Sequence, residues 1–308
     1  MKRLAGTVLR CALTLLLAVT FVFVVLRLSG DPARIMLPDD TPLPVIEAYR
    51  ARWGLDKPLL EQFIYYIRGL LRGDFGFSFR DNRDALTVVL DHVPPTLLLG
   101  GTALALMLLI GIPCGIFAAL RRGTAADRLT MAFTIFGHSM PNFFLGILLI
   151  ILFSLTLQVL PSAGNGSWTH LVMPALTLGT AGAGAVARFT RSSMLEVLRQ
   201  PYMRTARAKG VPGWRRIAWH ALPNAAIPIV TIIGLRVGAL IGGAVVTEQV
   251  FGWPGVGLLL VNSVSQRDLA VVQTIVLMVA FTMVLVNLLI DLLYGWIDPR
   301  IRTRSRAR

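Results

Sequence analysis

Residues 203–225 read MRTARAKGVPGWRRIAWHALPNA. Arg204, Arg207, Lys209, Arg215 and Arg216 fall within this stretch and Arg199 lies just before it, in a chain that is otherwise oily. Nucleic acid, a lipid surface and another protein are the three partners that such a run suggests. Its place in the chain chooses among them. Of the 308 residues, 55% are hydrophobic and 15% charged, and the mean hydropathy is +0.68. That balance is too apolar for a soluble domain and fits a multi-span membrane protein.

A bilayer core of about 30 Å needs roughly 20 apolar residues per helix. Six segments qualify, at 9–28, 96–120, 131–160, 170–190, 223–247 and 271–295. The first follows a basic start and resembles a signal peptide. Arg27 and LSGDP come after it with no small-x-small cleavage site, so it reads as a retained helix. The third is longer than one span needs, and Pro141 is expected to end or kink a helix within it.

The net charge of +14 follows from topology. Nineteen of the thirty Lys and Arg residues fall in the N-terminus, the loop after the second span, the segment after the fourth, and the tail at 300–308. The opposite side holds a chargeless loop at 161–169, Arg267, and a long loop at 29–95 with eight basic and ten acidic residues. The bias predicts that both termini and the 203–225 stretch are cytoplasmic. No aromatic stacking platform accompanies the arginines, so nucleic acid is not an expected partner. Cys11 and Cys114 both sit in apolar runs and form no metal or disulfide pattern.

About 30 residues between two spans exceed what a turn requires. On a helical wheel Tyr202, Met203, Ala206 and Gly210 share one side, while Arg204, Arg207 and Lys209 spread away from it. Gly210, Pro212 and Gly213 then end the helix. A short helix with a small-residue face and a basic rim suits a protein cleft, and an ordinary interfacial helix is the plainer reading.

Ala206, Gly210, Leu222 and Pro223 match the spacing of the EAA---G---------I-LP loop of permeases in binding-protein-dependent ABC importers, with Arg204, Thr205 and His220 departing from it. RTARAKG followed by LPNA resembles the form found in dipeptide, oligopeptide and nickel permeases. Further stretches carry the same resemblance: LRLSGDPA near 26–33, GLDKPLLEQF at 54–63, GDFGFSF at 73–79, PPTLLLG at 94–100, SMPNFFLGILLI at 139–150 and TEQVFGWPGVG at 247–257.

The resemblance implies an all-α integral membrane protein of the type I ABC importer (MetI-like) permease fold, with six transmembrane helices. Its parts would be an extra N-terminal helix at 1–28, a periplasmic subdomain at 29–95, a core at 96–295 with a coupling segment at 191–222, and a basic tail at 296–308. It further implies a second homologous permease, two ATPase subunits that use ATP and Mg, and a periplasmic or extracellular substrate-binding protein. Peptides are the substrate class it suggests, with nickel chelates and glutathione open. The coupling helix would be the helix around residues 202–213, with Tyr202, Met203, Arg204, Thr205, Ala206, Arg207, Ala208, Lys209 and Gly210, and Leu222 and Pro223 beyond it, as the coupling residues.

The motifs that are missing agree with a chain that uses ATP only through partners. There is no GxxxxGK[ST] phosphate loop, no HExxH and no GxSxG. A self-contained secondary transporter or channel is the alternative, but no acidic chain for a proton relay and no inverted repeat supports it. Within the spans, Gly234, Gly238 and Gly242 recur at a spacing of four, a pattern for close helix packing. Arg236 is a mid-span charge expected to line the path or to pair with an acidic group. Asn142 and Glu248 are the other polar candidates for the path.

Overall fold

The computed structural model describes residues 2–28, 41–52, 56–78 and 80–297. The basic tail from 298, residues 29–40 and part of the LRLSGDPA stretch lie outside the described residues. The rest is almost wholly helical and divides into two compact units.

One unit comprises residues up to 95 together with 255–285. It contains α1 (Lys2–Leu28), α2 (Leu43–Arg52) and α3 (Leu59–Leu71), then a two-stranded hairpin, β1 (Phe77–Ser78) with β2 (Arg83–Asp84). The first turns of α4 (Ala85–Leu120), all of α11 (Val256–Ser265) and most of α12 (Leu269–Ile297) complete it. Pro58 stands at the N-cap of α3, where its missing N–H is harmless. The GDFGFSF motif is a docking device. Gly73 and Gly76 adopt positive φ, and Asp74 accepts from the Gly76 N–H. The buried Ser78 hydroxyl donates to Asp268, which also accepts from the Val271 N–H at the start of α12. The core below is Ala85, Val88, Val89, Val256, Ala270, Val271 and Ile275.

The other unit spans 96–254 and the end of α12. It contains the rest of α4, then α5 (Ala125–Ser139) and α6 (Asn142–Leu149), the latter continuing as a π-helical turn over Ile150–Thr156. α7 (Thr169–Leu198) and α8 (Pro201–Ala208) follow. The short turn α9 (Gly213–Arg215) then runs through a π-helical segment, Arg216–Ala221, into α10 (Leu222–Phe251). α7 is the hub, packed by α5, α6 and α10. A Cβ added at Gly111 or Gly115 of α4 would come within 3 Å of backbone oxygens of α7, and one at Gly179 of α7 would meet the Ala103 carbonyl. These two helices therefore touch backbone to backbone, the contact that small residues permit in membranes. Hydroxyls of Thr177, Thr180, Thr231 and Thr247 return to carbonyls four residues back, which satisfies them without water.

Among the described residues four helical runs are long and apolar enough to cross a membrane: Ala85–Leu120, Thr169–Leu198, Gly213–Phe251 and Leu269–Ile290. Ala12–Val25, Asn142–Thr156 and Val256–Ser265 are shorter apolar helices. One sequence expectation is met and two change. The apolar segment 131–160 is interrupted at Pro141 as expected, with Met140 and Pro141 extended (ψ 132 and 138) between α5 and α6. The helix expected from 96 begins at Ala85. The connection between the expected spans 223–247 and 271–295 contains α11, whose apolar run follows the turn at Gly252.

Candidate coupling site

α8 is a two-turn helix with Pro201 at its first position. It ends in a Schellman motif: Gly210 at φ +72 donates to the Arg207 carbonyl (3.0 Å), and Val211 N–H donates to the Ala206 carbonyl (3.1 Å). A Cβ at Gly210 would meet nothing within 4 Å, so the glycine serves the left-handed turn, not close packing within the chain.

The wheel drawn from the sequence is corrected at Met203. Met203 is 6% exposed and packs with Ala119, Met194, Ala221, Ala225 and Ile229, so it anchors α8 to the chain's own bundle. Ala206, one turn on, is half-buried on the same side. The outward face is Pro201, Arg204, Thr205 and Ala208, with Tyr202, Arg207, Lys209 and Gly210 also exposed. It still pairs small residues with cations, but its small residues are Thr205 and Ala208. Leu222 is half-buried and Pro223 exposed at the start of α10. Just before them, the Arg215 guanidinium lies over the Trp214 ring at 5.1 Å, and Trp214 and Trp219 are both exposed. Such rings favour the membrane–water boundary.

One element of the site escaped the sequence reading. Arg191 of α7 grips Asp127 of α5 with a two-pronged contact, Nε to Oδ1 and an Nη to Oδ2, both 2.7 Å. Thr124 caps α5 by accepting from the Asp127 N–H (3.4 Å), and the Asp127 carboxylate reaches back to accept from the Gly123 N–H (3.0 Å). The Arg191 hydrogen bonds, then the Gly123 N–H, hold the buried Asp127 carboxyl at a pKa of about 2 against the opposing effect of burial. The pair fastens the α4–α5 turn to α7, two turns before α7 ends and α8 begins. Arg191 had entered only as a topological charge; the Thr-x-x-Asp cap at 124–127 was the available signal.

The path candidates separate. Arg236 is half-buried, midway along α10, and forms no hydrogen bond or ion pair among the described residues. Asn142 opens α6 and faces α10, its amide nitrogen 3.1 Å from where a Gly243 Cβ would sit. Glu248 is corrected: it is fully enclosed, and the Thr96 hydroxyl donates to it at 2.7 Å, so it presents no surface to a path. Trp253 folds back into the core beside Ala175, Leu178 and Ala244, so the FGWPG corner is packed. The glycine line is likewise corrected. Gly234 lies against Ile290 of α12, whereas Gly242 is exposed with open space around it, and Gly243 makes the close approach to Leu178 of α7. Gly242 belongs to an exposed stripe along α10 with Asn224, Pro228, Thr231, Leu235, Ala239, Val246 and Gln249, spaced three to four apart. Partly polar and mostly small, this stripe is unlike the Leu- and Phe-rich exposed face of α4 at Leu97, Leu109 and Phe117.

Long apolar helices and a helical hub with a broken neighbour define a multi-pass membrane protein, and solved structures share this fold. The chain superposes on a chain of "Inward facing conformations of the MetNI methionine ABC transporter" with a TM-score of 0.59 and 18% identity, covering 68% of this chain and 96% of that one. The fold is thus that of type I ABC importer permeases.

The model of the binding-protein-dependent transport system inner membrane component matches residues 111–303, and that of the family's N-terminal membrane component matches residues 1–100. The chain is 44% identical over 301 residues to the glutathione transport system permease protein GsiC of Escherichia coli (strain K12), covering 98% of this chain and 97% of that protein. The counterpart from Shigella dysenteriae serotype 1 matches equally. The chain belongs to the binding-protein-dependent permease family and is an inner-membrane transport subunit of an ABC importer, a system that also comprises a partner permease, an ATPase and a substrate-binding protein.

Proposed function

We propose that this permease imports glutathione or a related di- or oligopeptide, and that α8 couples it to one of two ATPase subunits. The observation that carries the coupling is α8 itself: anchored inward by Met203, stopped by Gly210, and bare on its Arg204, Thr205 and Ala208 face. A helix so held moves as a rigid lever. Closure of the ATPases around ATP and Mg would reach α7 and α10 through it. This chain contributes shape, with no reacting group or cofactor of its own.

In this reading a second, homologous permease covers the exposed stripe of α10, and the two chains share the path. The chain has six spans, with both termini in the cytoplasm. The N-terminal helix at 1–28 and the subdomain at 29–95 precede the core at 96–295, and the tail at 296–308 is cytoplasmic. The support for orientation is the sidedness of nineteen Lys and Arg residues. Arg236 faces the path, where an otherwise unpaired mid-span cation suits the carboxylates of a peptide. The substrate class is supported by the 44% identity to GsiC over nearly the whole chain.

The test is uptake of radiolabelled glutathione into proteoliposomes that hold the full transporter, ATP inside and the binding protein outside. Uptake that requires both supports the reading. Uptake of a nickel chelate instead would replace the substrate class. For coupling, Ala208→Cys should crosslink to the ATPase in the active complex, and no crosslink would remove α8 from that role. Arg236→Ala should slow uptake; unchanged uptake and assembly would exclude Arg236 from path and pairing alike.

A further inference from the structure

α3 does not behave as a helix in water. Phe23 of α1 meets Phe63 edge-on at 5.2 Å between ring centroids and stacks on Tyr66 at 5.8 Å. On the other side the Tyr66 hydroxyl comes up beside Gln273 of α12. Phe23 lies inside the apolar run Ala12–Val25, and Gln273 inside the membrane-length run Leu269–Ile290. Phe23 is five residues from the end of α1 and Gln273 four from the start of α12, so at 1.5 Å per residue both contacts lie about 6–8 Å in from the helix ends. Two separate membrane helices thus fix the depth of α3 at the edge of the apolar layer.

The surface of α3 divides accordingly. At about 100° per residue, Gln62, Phe63, Tyr66 and Leu70 form one sector, half-buried against the chain's own helices. Leu60, Ile64 and Leu71 form a second, narrow apolar sector that no part of the described chain covers; they are 71%, 43% and 83% exposed. Glu61 and Arg68 form a third, charged and exposed. A helix docking into a protein cleft needs two sectors; one resting between protein, lipid and water needs three. On α1 as well, Phe21 and Val25 are exposed, at 66% and 40%.

We propose that α3 is an interfacial helix that rests in the bilayer, with Leu60, Ile64 and Leu71 in the acyl chains and Glu61 and Arg68 at the headgroups. It is a float fixed to α1 and α12, so the occupant of its apolar strip is lipid and not the binding protein. The inference rests on the membrane embedding of the chain and is independent of its substrate and of the role of α8.

Nitroxide labels at Ile64→Cys and, as a second site, Leu60→Cys test it in the complete transporter in proteoliposomes, with Cys11 and Cys114 replaced by Ser. Lipid contact predicts high collision with oxygen and low collision with a water-soluble nickel chelate, the ratio exceeding that of a label at Glu61→Cys several-fold. High nickel collision at 60 and 64 would mean water and overturns the proposal. Low collision with both would mean burial by another protein chain and also overturns it. Addition of the binding protein should leave both labels unchanged; immobilisation of the label at 64 would reassign the strip to that partner.

Discussion

α7 and α10 are each 30 residues long, and they solve opposite problems. Fifteen residues of α7 are buried, many of them Gly and Ala, against seven of α10. α7 is largely finished within the chain: Gly179 and Gly182 are filled by α4, and its half-buried cation, Arg191, is neutralised by Asp127, while its other arginine, Arg188, is exposed. α10 has a glycine in open space at 242, a partly polar stripe and an Arg236 with no partner among the described residues. A helix that wastes small and polar residues on lipid gains nothing from them, because lipid offers neither close packing nor hydrogen bonds. The difference teaches that α7 carries the fold of the single chain, while α10 keeps the face on which the proposed second permease would close.

Substitution in the α7 seam should therefore break the chain itself. Gly115→Leu forces a side chain into the Ala187 carbonyl and Thr190. Overpacking against backbone cannot relax by a rotamer change, so a loss of about 3 kcal/mol or more is expected. The measure is the thermal midpoint of the purified chain in detergent, with monodispersity on gel filtration. A chain that tolerates Leu at 115 would show that α4 and α7 do not meet backbone to backbone.

The Asp127–Arg191 clamp ranks next. Asp127→Asn keeps the shape and the Thr124 cap but strands a half-buried cation, a loss of about 2–3 kcal/mol. The sign of its pH dependence is fixed. A carboxyl held near 2, below its unfolded value of about 4, stabilises fully above pH 4 and loses that contribution as pH falls through 2. The gap in thermal midpoint between native chain and variant should be constant from pH 7 to about 4 and narrow below it. A gap that closes near pH 6 would refute the assignment.

Much of this arrangement is legible in the sequence where one residue dictates the backbone. Pro58 before α3, Pro141 between α5 and α6, and Gly210 after α8 all act where their ring or missing Cβ demands. What periodicity cannot show is which of two apolar neighbours faces home. Met203 and Ala206 lie on the side the wheel assigned, yet that side turns inward because Ala119 and Ala225 leave room for a methionine. Asp127 and Arg191 stand 64 positions apart, and only the packing of α5 on α7 brings them together. Glu248 reads as a candidate for the path and is instead enclosed, with Thr96 supplying the donor a buried carboxylate needs.

The step from α7 to α10 runs through α8, and its stop is a smaller matter. Gly210→Ala places a Cβ on a backbone at φ +72 with free space around it, so only the strain of the left-handed conformation is added, about 1 kcal/mol. The thermal midpoint should fall slightly, while uptake per ATP hydrolysed falls more, because a loosened stop lets α8 bend. An equal, slight loss in both would show that Gly210 serves folding alone.

The smallest effect on the single chain is expected at Gly242, and it is the most telling. Gly242→Leu adds a side chain into open space, so the isolated permease should keep its thermal midpoint to within about 0.5 kcal/mol. A face that only touches lipid would accept leucine without consequence, since leucine is what lipid-facing positions carry. A face reserved for the second permease would not, and co-purification of the two permeases and uptake should both drop several-fold. Gly242→Ala, one carbon against four, should fall between. Gly115 and Gly242 would then be the same residue type used for two different seams, one closed within the chain and one that closes only on assembly. If Gly242→Leu assembles and transports normally, the stripe on α10 is a lipid face, and the contrast with α7 is one of burial alone.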